Sequence, residues 1–376
     1  MTGHDAKLNF RAVVAVALLF GAFALEAATV STAPAKPRRV LPAVPKTTTV
    51  APTSGKPAAK PAAKPVVKPA TPLVFPEISL KNGRKYYDLK KIAVAYGFRT
   101  LEGYEDKNRT LTLLTPHNER IVFTVTKQIF QISGTVATLS YPVSFEQEKY
   151  LLEKTDYSEF LEPLLRTALL PRREIKHIVL DAGHGGKDQG ASSGKTLEKN
   201  LNLLMAQKVA SILRKRGYVV SMTRNNDTAL TLDQRCQTAT TKKADLFLSI
   251  HCNSAKDTSI HGIEVFLANP PGVPSFGTTN IGKTGAATPY QKTSALWAYF
   301  TQRALLKASG AEDRGIKRKQ FKVIIDSPAP ALLVELGFLS NKAECANLLK
   351  PDYQDKLAVA LCDAIDKLKR SLKPRQ

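Results

Sequence analysis

The sequence predicts an α/β protein: a mixed sheet covered by helices on both faces over residues 175–373, preceded by a smaller α+β domain over residues 76–166. Three observations predict it. From residue 176 onward, short apolar runs alternate with segments of helical period, the pattern of a sheet sandwiched between helix layers. Residues 76–166 carry several short alternating runs parted by turn residues, with few helical stretches. Ahead of both lies "KPAAKPAAKPVVKPATP", which has too little apolar bulk to build a core. The chain of 376 residues has room for two domains plus extended segments.

In order, residues 1–28 read as an export signal. Lys7 and Arg11 precede the apolar run Ala12–Leu25, and the small residues Ala27 and Ala28 follow. The run is shorter than the ~20 residues of a spanning helix, and an uncleaved anchor is the alternative. The expected location is therefore the periplasm or cell envelope. Residues 29–75 form a Pro/Ala/Lys-rich linker, extended and polyproline-like because proline removes donors and the lysines repel. The formal net charge is +23, and residues 31–72 alone hold eight Lys or Arg and no acid. Such a balance suits an anionic partner such as nucleic acid, acidic lipid or a cell-envelope polymer, with a plain solvated linker as the other reading of the basic tail. No nucleic-acid motif accompanies it, so nucleic acid is excluded as the expected partner.

Within residues 76–166, "ISLKNGRKYYDLKKIAVAYGF" predicts two strands about an Asn82–Gly83 turn. A helix with Leu89, Ile92, Ala93 and Tyr96 on one face follows. "RTLTLLT", "RIVFTVT" and "QIFQISGTVATLS" predict strands, and "DYSEFLEPLLRTAL" an amphipathic helix. With one histidine, His117, and no acid–base cluster, this domain reads as a binding or positioning module.

Beyond it, the predicted strands are "HIVLDA", "YVVSMTR", "DLFLSIHCN", "GIEVFLA" and "PALLVELGF". Helices are predicted over "TLEKNLNLLMAQKVASILRKRG", "LDQRCQTATTKKA", "TSALWAYFTQRALLKASG" and "YQDKLAVALCDAIDKLKRSL". Cys236, Cys252, Cys345 and Cys362 match no zinc-finger spacing; a local Cys345–Cys362 bridge and buried free thiols are both open.

Four residues carry chemistry. His184 follows an apolar strand within "VLDAGHGGKDQGA", and His251 ends "DLFLSIH". Glu335 sits inside an apolar strand, where a carboxylate is costly unless it is paired or works. Glu198 opens a helix, with Thr196 available as its N-cap; an acid there also suits the helix dipole. Two imidazoles and two carboxylates at strand ends and a helix start can supply three ligands to Zn2+, with the fourth group as general base. His261, beside Gly262, reads as a turn residue. In a regular strand Cys252 points away from the face of His251.

Residues 176–373 resemble the catalytic domain of the zinc-dependent N-acetylmuramoyl-L-alanine amidases. The resemblance rests on "VLDAGHGGKDQGA", "EKNLNL", Thr223–Arg224, "LFLSIHCN", "HGIEVFL", "DRGIK" and "PALLVELGFLSN", in order. It implies peptidoglycan as substrate, His184, Glu198 and His251 as ligands of one zinc ion, Glu335 as catalytic acid/base, and a structural place for Arg235. Two departures stand out: Cys252 replaces a small residue, and "FKVIIDSPAP" lacks an arginine frequent in the family. Residues 269–293 are too rich in Gly and Pro for the regulatory helix some relatives insert there, so an open site is expected. "LKNGRKYYDLKKIAVAYGF" and "FLEPLLR" resemble the small stalk domain of copper amine oxidases, without implying a copper site. The alternatives are an amidase or peptidase of the same fold on another substrate, and a non-catalytic wall-binding protein.

Overall fold

The computed structural model describes residues 71–278 and 289–373. Residues 1–28, read above as an export signal, all but the last residues of the linker, and residues 279–288 of the Gly/Pro-rich segment lie outside the described residues.

The small domain contains β1 (Ile78–Ser79), β2 (Lys85–Asp88), α1 (Leu89–Ala95), β3 (Arg99–Glu105), β4 (Asn108–Leu114), β5 (Arg120–Thr124), β6 (Ile129–Ile132), β7 (Thr135–Thr138), β8 (Ser144–Glu146) and β9 (Lys149–Glu153). Asp88 starts α1 by accepting from the Lys90 N–H, and Leu89, Ile92 and Ala93 bury its inner face. The run "QIFQISGTVATLS" folds as two strands because Ser133 and Gly134 both take positive φ and turn the chain back. After β9 the expected single helix is broken into α2 (Lys154–Asp156), a π-turn over Tyr157–Leu161 and α3 (Glu162–Leu165). Pro163 has no N–H to continue a regular ladder, which accounts for the break. Strand β3 was not expected: six of its seven residues are exposed, so no apolar alternation marks it.

The second part runs β10 (His177–Ala182), β11 (Ser192–Ser193), β12 (Thr196–Leu197), α4 (Glu198–Lys215), β13 (Val219–Met222), α5 (Leu232–Thr241), β14 (Leu246–Asn253), β15 (Ile263–Leu267), α6 (Gln291–Ser309), β16 (Asp313–Arg318), α7 (Lys322–Ile325), β17 (Ala331–Phe338), α8 (Lys342–Leu348) and α9 (Pro351–Leu372). Strands β13, β10, β14 and β17 pair in parallel, β15 runs antiparallel to β17, and β16 lies parallel to β15. Alternate residues of β10 separate the two faces. Ile178, Leu180 and Ala182 enter a core shared with α4, α6 and α9, while Val179 joins a second cluster with Phe247, Leu333 and Ile324 of α7. Helices thus cover both faces, as the period-2 and period-3.6 patterns require.

The sheet does not stop at β16. It continues through β7, β6, β5, β4 and β3, giving 11 strands in one sheet. The larger apolar cluster likewise runs without interruption from Phe75 to Leu372. All four cysteines are buried and free, which removes the Cys345–Cys362 bridge.

Candidate active site

Parallel strands β10, β14 and β17 end at the same edge of the sheet, the place where open α/β sheets gather ligands. His184 lies two residues past β10. His251 is in the last turn of the pleat of β14, directly opposite Glu335 on β17. Glu198 is the first residue of α4, whose N-cap is Leu197, without a side-chain cap. Thr196, expected as the cap, instead belongs to the two-residue strand β12, which pairs with β11 to carry the chain into the helix.

The structure brings His184, Glu198 and His251 together: one ligand atom from each lies within 4.8 Å of the others. Glu198 is central. Its Oε2 is 3.2 Å from His184 Nε2 and its Oε1 is 2.9 Å from His251 Nδ1. The Ala191 N–H and the Asn202 amide donate to the same carboxylate at 2.8 and 3.0 Å. Burial pushes the Glu198 carboxyl up, but the two imidazoles more than offset it and hold it well below the usual carboxylate range. The Glu198 contact, opposed by burial, raises His184 in return, and Asp188 adds to the rise from 2.9 Å on Nδ1. With Nδ1 of His184 engaged by Asp188, Nε2 is the atom turned to the site, the arrangement that fixes a ligating imidazole.

Backbone geometry makes room for this cluster. A Cβ on Gly183 would collide with the His251 ring, and one on Gly190 would lie 2.5 Å from Glu198 Oε2. His184 itself has φ +61°, a left-handed conformation that costs a non-glycine residue about 1–3 kcal/mol. Two buried arginines hold it there. Arg235 donates to the carbonyls of Ala182 and His184 and to Asp181, each within 2.8 Å. Arg224 donates to the carbonyls of Ala182 and Gly183 at 2.9 and 2.8 Å.

Glu335 faces a cleft of about 310 Å3 shared with His184 and His251 and walled by Leu230, Leu232, Phe321, Val323 and Leu333. Its Oε2 is enclosed and meets no hydrogen-bond partner among the described residues. Burial, with Glu198 and Glu264 nearby, pushes the carboxyl well above its ordinary value, against the opposing pull of Lys319 and Lys317. An orphaned buried acceptor beside three clustered donors is what a site for a cation and a water molecule presents. Two imidazoles and one carboxylate also form a donor set that suits zinc.

His261 is exposed, ion-paired with Glu312 and outside the cluster. Cys252 points into the core, while its N–H donates to Glu198 at 3.2 Å. Sequence reasoning gave no role to Asp188, Asn202 and Arg224, although all three lie in the motifs that carry the resemblance. Asp188 and Asn202 each stand four residues beyond the group they support, a spacing readable on a helix for Asn202 but not in the glycine loop for Asp188.

Residues 178–367 match the family model described as N-acetylmuramoyl-L-alanine amidase. The Bacillus subtilis protein YqiI is 34% identical over 194 residues, covering 51% of this chain and 84% of that protein. N-acetylmuramoyl-L-alanine amidase LytC of the same organism is 35% identical over 187 residues, 50% of this chain but 34% of LytC. Among solved structures, the catalytic domain of the amidase CwlV from Bacillus (Paenibacillus) polymyxa var. colistinus is 36% identical over 51% of this chain and 97% of that one, with a TM-score of 0.44. The family match takes in β10 to α9 and therefore every residue of the cluster, and the chain belongs to the N-acetylmuramoyl-L-alanine amidase family.

Proposed function

We propose that this chain hydrolyses the amide joining the lactyl group of N-acetylmuramic acid to L-alanine of the peptidoglycan stem peptide, using zinc held by His184, Glu198 and His251. The observation that carries the reading is the three-donor cluster beside the orphaned Glu335 carboxylate, inside the region of the family match. When bound, zinc supplies Lewis acidity toward the scissile carbonyl and lowers the pKa of water toward ~7. Glu335 takes the proton of the attacking water and returns it to the departing amine of L-alanine. Its apolar surroundings serve the first half of that exchange, because a carboxylate whose pKa is raised takes a proton from water more readily than an ordinary one. Leu230, Leu232 and Phe321 limit the water reaching the cleft. Asp188 keeps the His184 ring turned, and Asn202 orients Glu198.

Incubating the mature chain with purified peptidoglycan, with and without chelator, tests the reading. Stem peptides with free L-alanine amino termini should appear only in the zinc-replete sample. Their absence there would overturn the assignment.

The remaining expectations extend this reading to the cell. Residues 1–28 direct export to the envelope, and the basic linker of residues 29–75 engages anionic wall polymers. The small domain, with its likeness to the copper amine oxidase stalk domain, holds the enzyme at peptidoglycan. Fractionation of cells bearing a tagged chain checks the first point: recovery in the cytoplasm would reject it.

A further inference from the structure

The family match begins at residue 178, yet the sheet it belongs to is completed by strands that lie before it. Strand β16 is the junction. On one side Ile316, Lys317 and Arg318 pair with Val265, Phe266 and Leu267 of β15; on the other, Ile316 pairs with Ala137 of β7. Around that bridge the contacts are specific. The Val136 N–H donates to Asp313 Oδ2 at 2.7 Å, and the Thr138 hydroxyl donates to the Ile316 carbonyl at 3.0 Å. Arg318 reaches into the small domain and donates to Asp156 Oδ1 at 2.5 Å and to the Ser140 hydroxyl at 2.7 Å. The two charged side chains are 4% and 0% exposed. A fully desolvated pair with directed hydrogen bonds fixes its elements in one register, unlike the loose polar contacts between domains that move freely.

Strand β16 is also linked to the catalytic cleft, through Glu264 of β15. Lys317 pairs with Glu264 of β15, and Arg314 lies 3.5 Å from the same carboxylate. Glu264 stands directly opposite Glu335 in the sheet. We propose that the small domain is a working part of the catalytic unit: β7 and Asp156 fix β16, and β16 sets the Lys317–Glu264 pair beside Glu335. Asp156 and Arg318 are thus positioning residues for the amidase reaction, acting across the domain junction without touching substrate.

The inference rests on the amidase reading, so the experiment separates the two. Asp156→Asn, Arg318→Gln and the double variant are made in the mature chain and assayed on a soluble muropeptide, with zinc content and melting measured in parallel. Each single variant should lose at least tenfold in kcat with KM and zinc content unchanged. The double variant, which leaves no unpaired buried charge, should recover part of the loss. Folded single variants with wild-type kcat would overturn the inference while leaving the amidase reading intact; an inactive wild type would remove the reading itself. Should the single variants not fold, a protease site inserted between Pro171 and Arg172 gives a second measurement. The nicked chain should run as one particle in gel filtration and keep its turnover, and fragments that part in native buffer would overturn the inference.

Discussion

Glu335 and His251 stand opposite each other on neighbouring strands, but their surroundings assign them different work. His251 touches Glu198 and sits among the donor atoms, whereas Glu335 has an enclosed oxygen without a partner. Glu335→Ala should therefore lower turnover by about 10²–10⁴-fold, the usual range for a lost general acid/base, and keep zinc near one per chain. His251→Ala should lose both activity and zinc affinity. Metal analysis of the purified variants checks this, and a zinc-free Glu335→Ala protein would mean that Glu335 is a ligand. His184, His251 and Glu335 were legible as residues because each interrupts or ends an apolar run, where a polar side chain stands out. Glu198 was not legible on those terms, since an acid at a helix start has an ordinary electrostatic reason to be there. Arg224 was visible as a motif residue, but its role was hidden: its partners are backbone carbonyls, and nothing in a sequence marks a carbonyl as needing a guanidinium.

Among the elements, the strands with apolar cores were readable and the charged ones were not. Strand β16, "DRGIKR", looks like a solvated loop until its neighbours are known. Inside the sheet, Asp313 accepts from Val136 and Gln302, Lys317 pairs with Glu264, and Arg318 pairs with Asp156. Those partners lie up to 177 residues away in sequence, beyond the reach of local periodicity. A second polar device ties the starts of β10 and β14. Asp245 accepts from the Lys176 and His177 N–H groups at 2.9 Å each and pairs with Arg173 at 3.1 Å. Burial raises its pKa, but these donors more than offset it and leave the folded value depressed. A depressed carboxyl contributes stability that is complete above its unfolded pKa of ~3.9 and is lost as pH falls through the folded value. Asp245→Asn should cost about 1–3 kcal/mol at neutral pH, the worth of hydrogen bonds to a charged group. The gap between variant and wild type should narrow between about pH 4 and pH 2. Denaturant melts across that range decide it: a gap that stays constant would mean that the carboxylate charge is not what holds the two strands.

For the whole molecule, the contributions of the linker and of the small domain can be separated by deletion. Deleting residues 29–70 should weaken sedimentation with insoluble wall, most at low salt, because charge attraction is screened beyond ~8 Å at physiological ionic strength. Turnover on a soluble muropeptide should not change. Extending the deletion to residue 166 removes β7 and Asp156, and turnover should then fall as well; an unchanged rate would count against the shared sheet as a functional unit. The change of texture near residue 166 was legible, but the joining of residues on both sides of it into one sheet of 11 strands was not, because the β7–β16 bridge, the Val136 and Thr138 hydrogen bonds and the Asp156–Arg318 pair all join residues far apart in sequence. The four thiols carry a separate consequence. Burial lifts Cys236 to about 11 and Cys362 to about 12, and Cys252 well above its ordinary value, so the reactive thiolate is scarce at neutral pH. Every cysteine is also buried. The native protein should therefore be indifferent to its redox surroundings, reaching the same folded state with or without oxidant and needing no disulfide catalyst. An aromatic disulfide reagent should count no thiols in the native chain and four in denaturant.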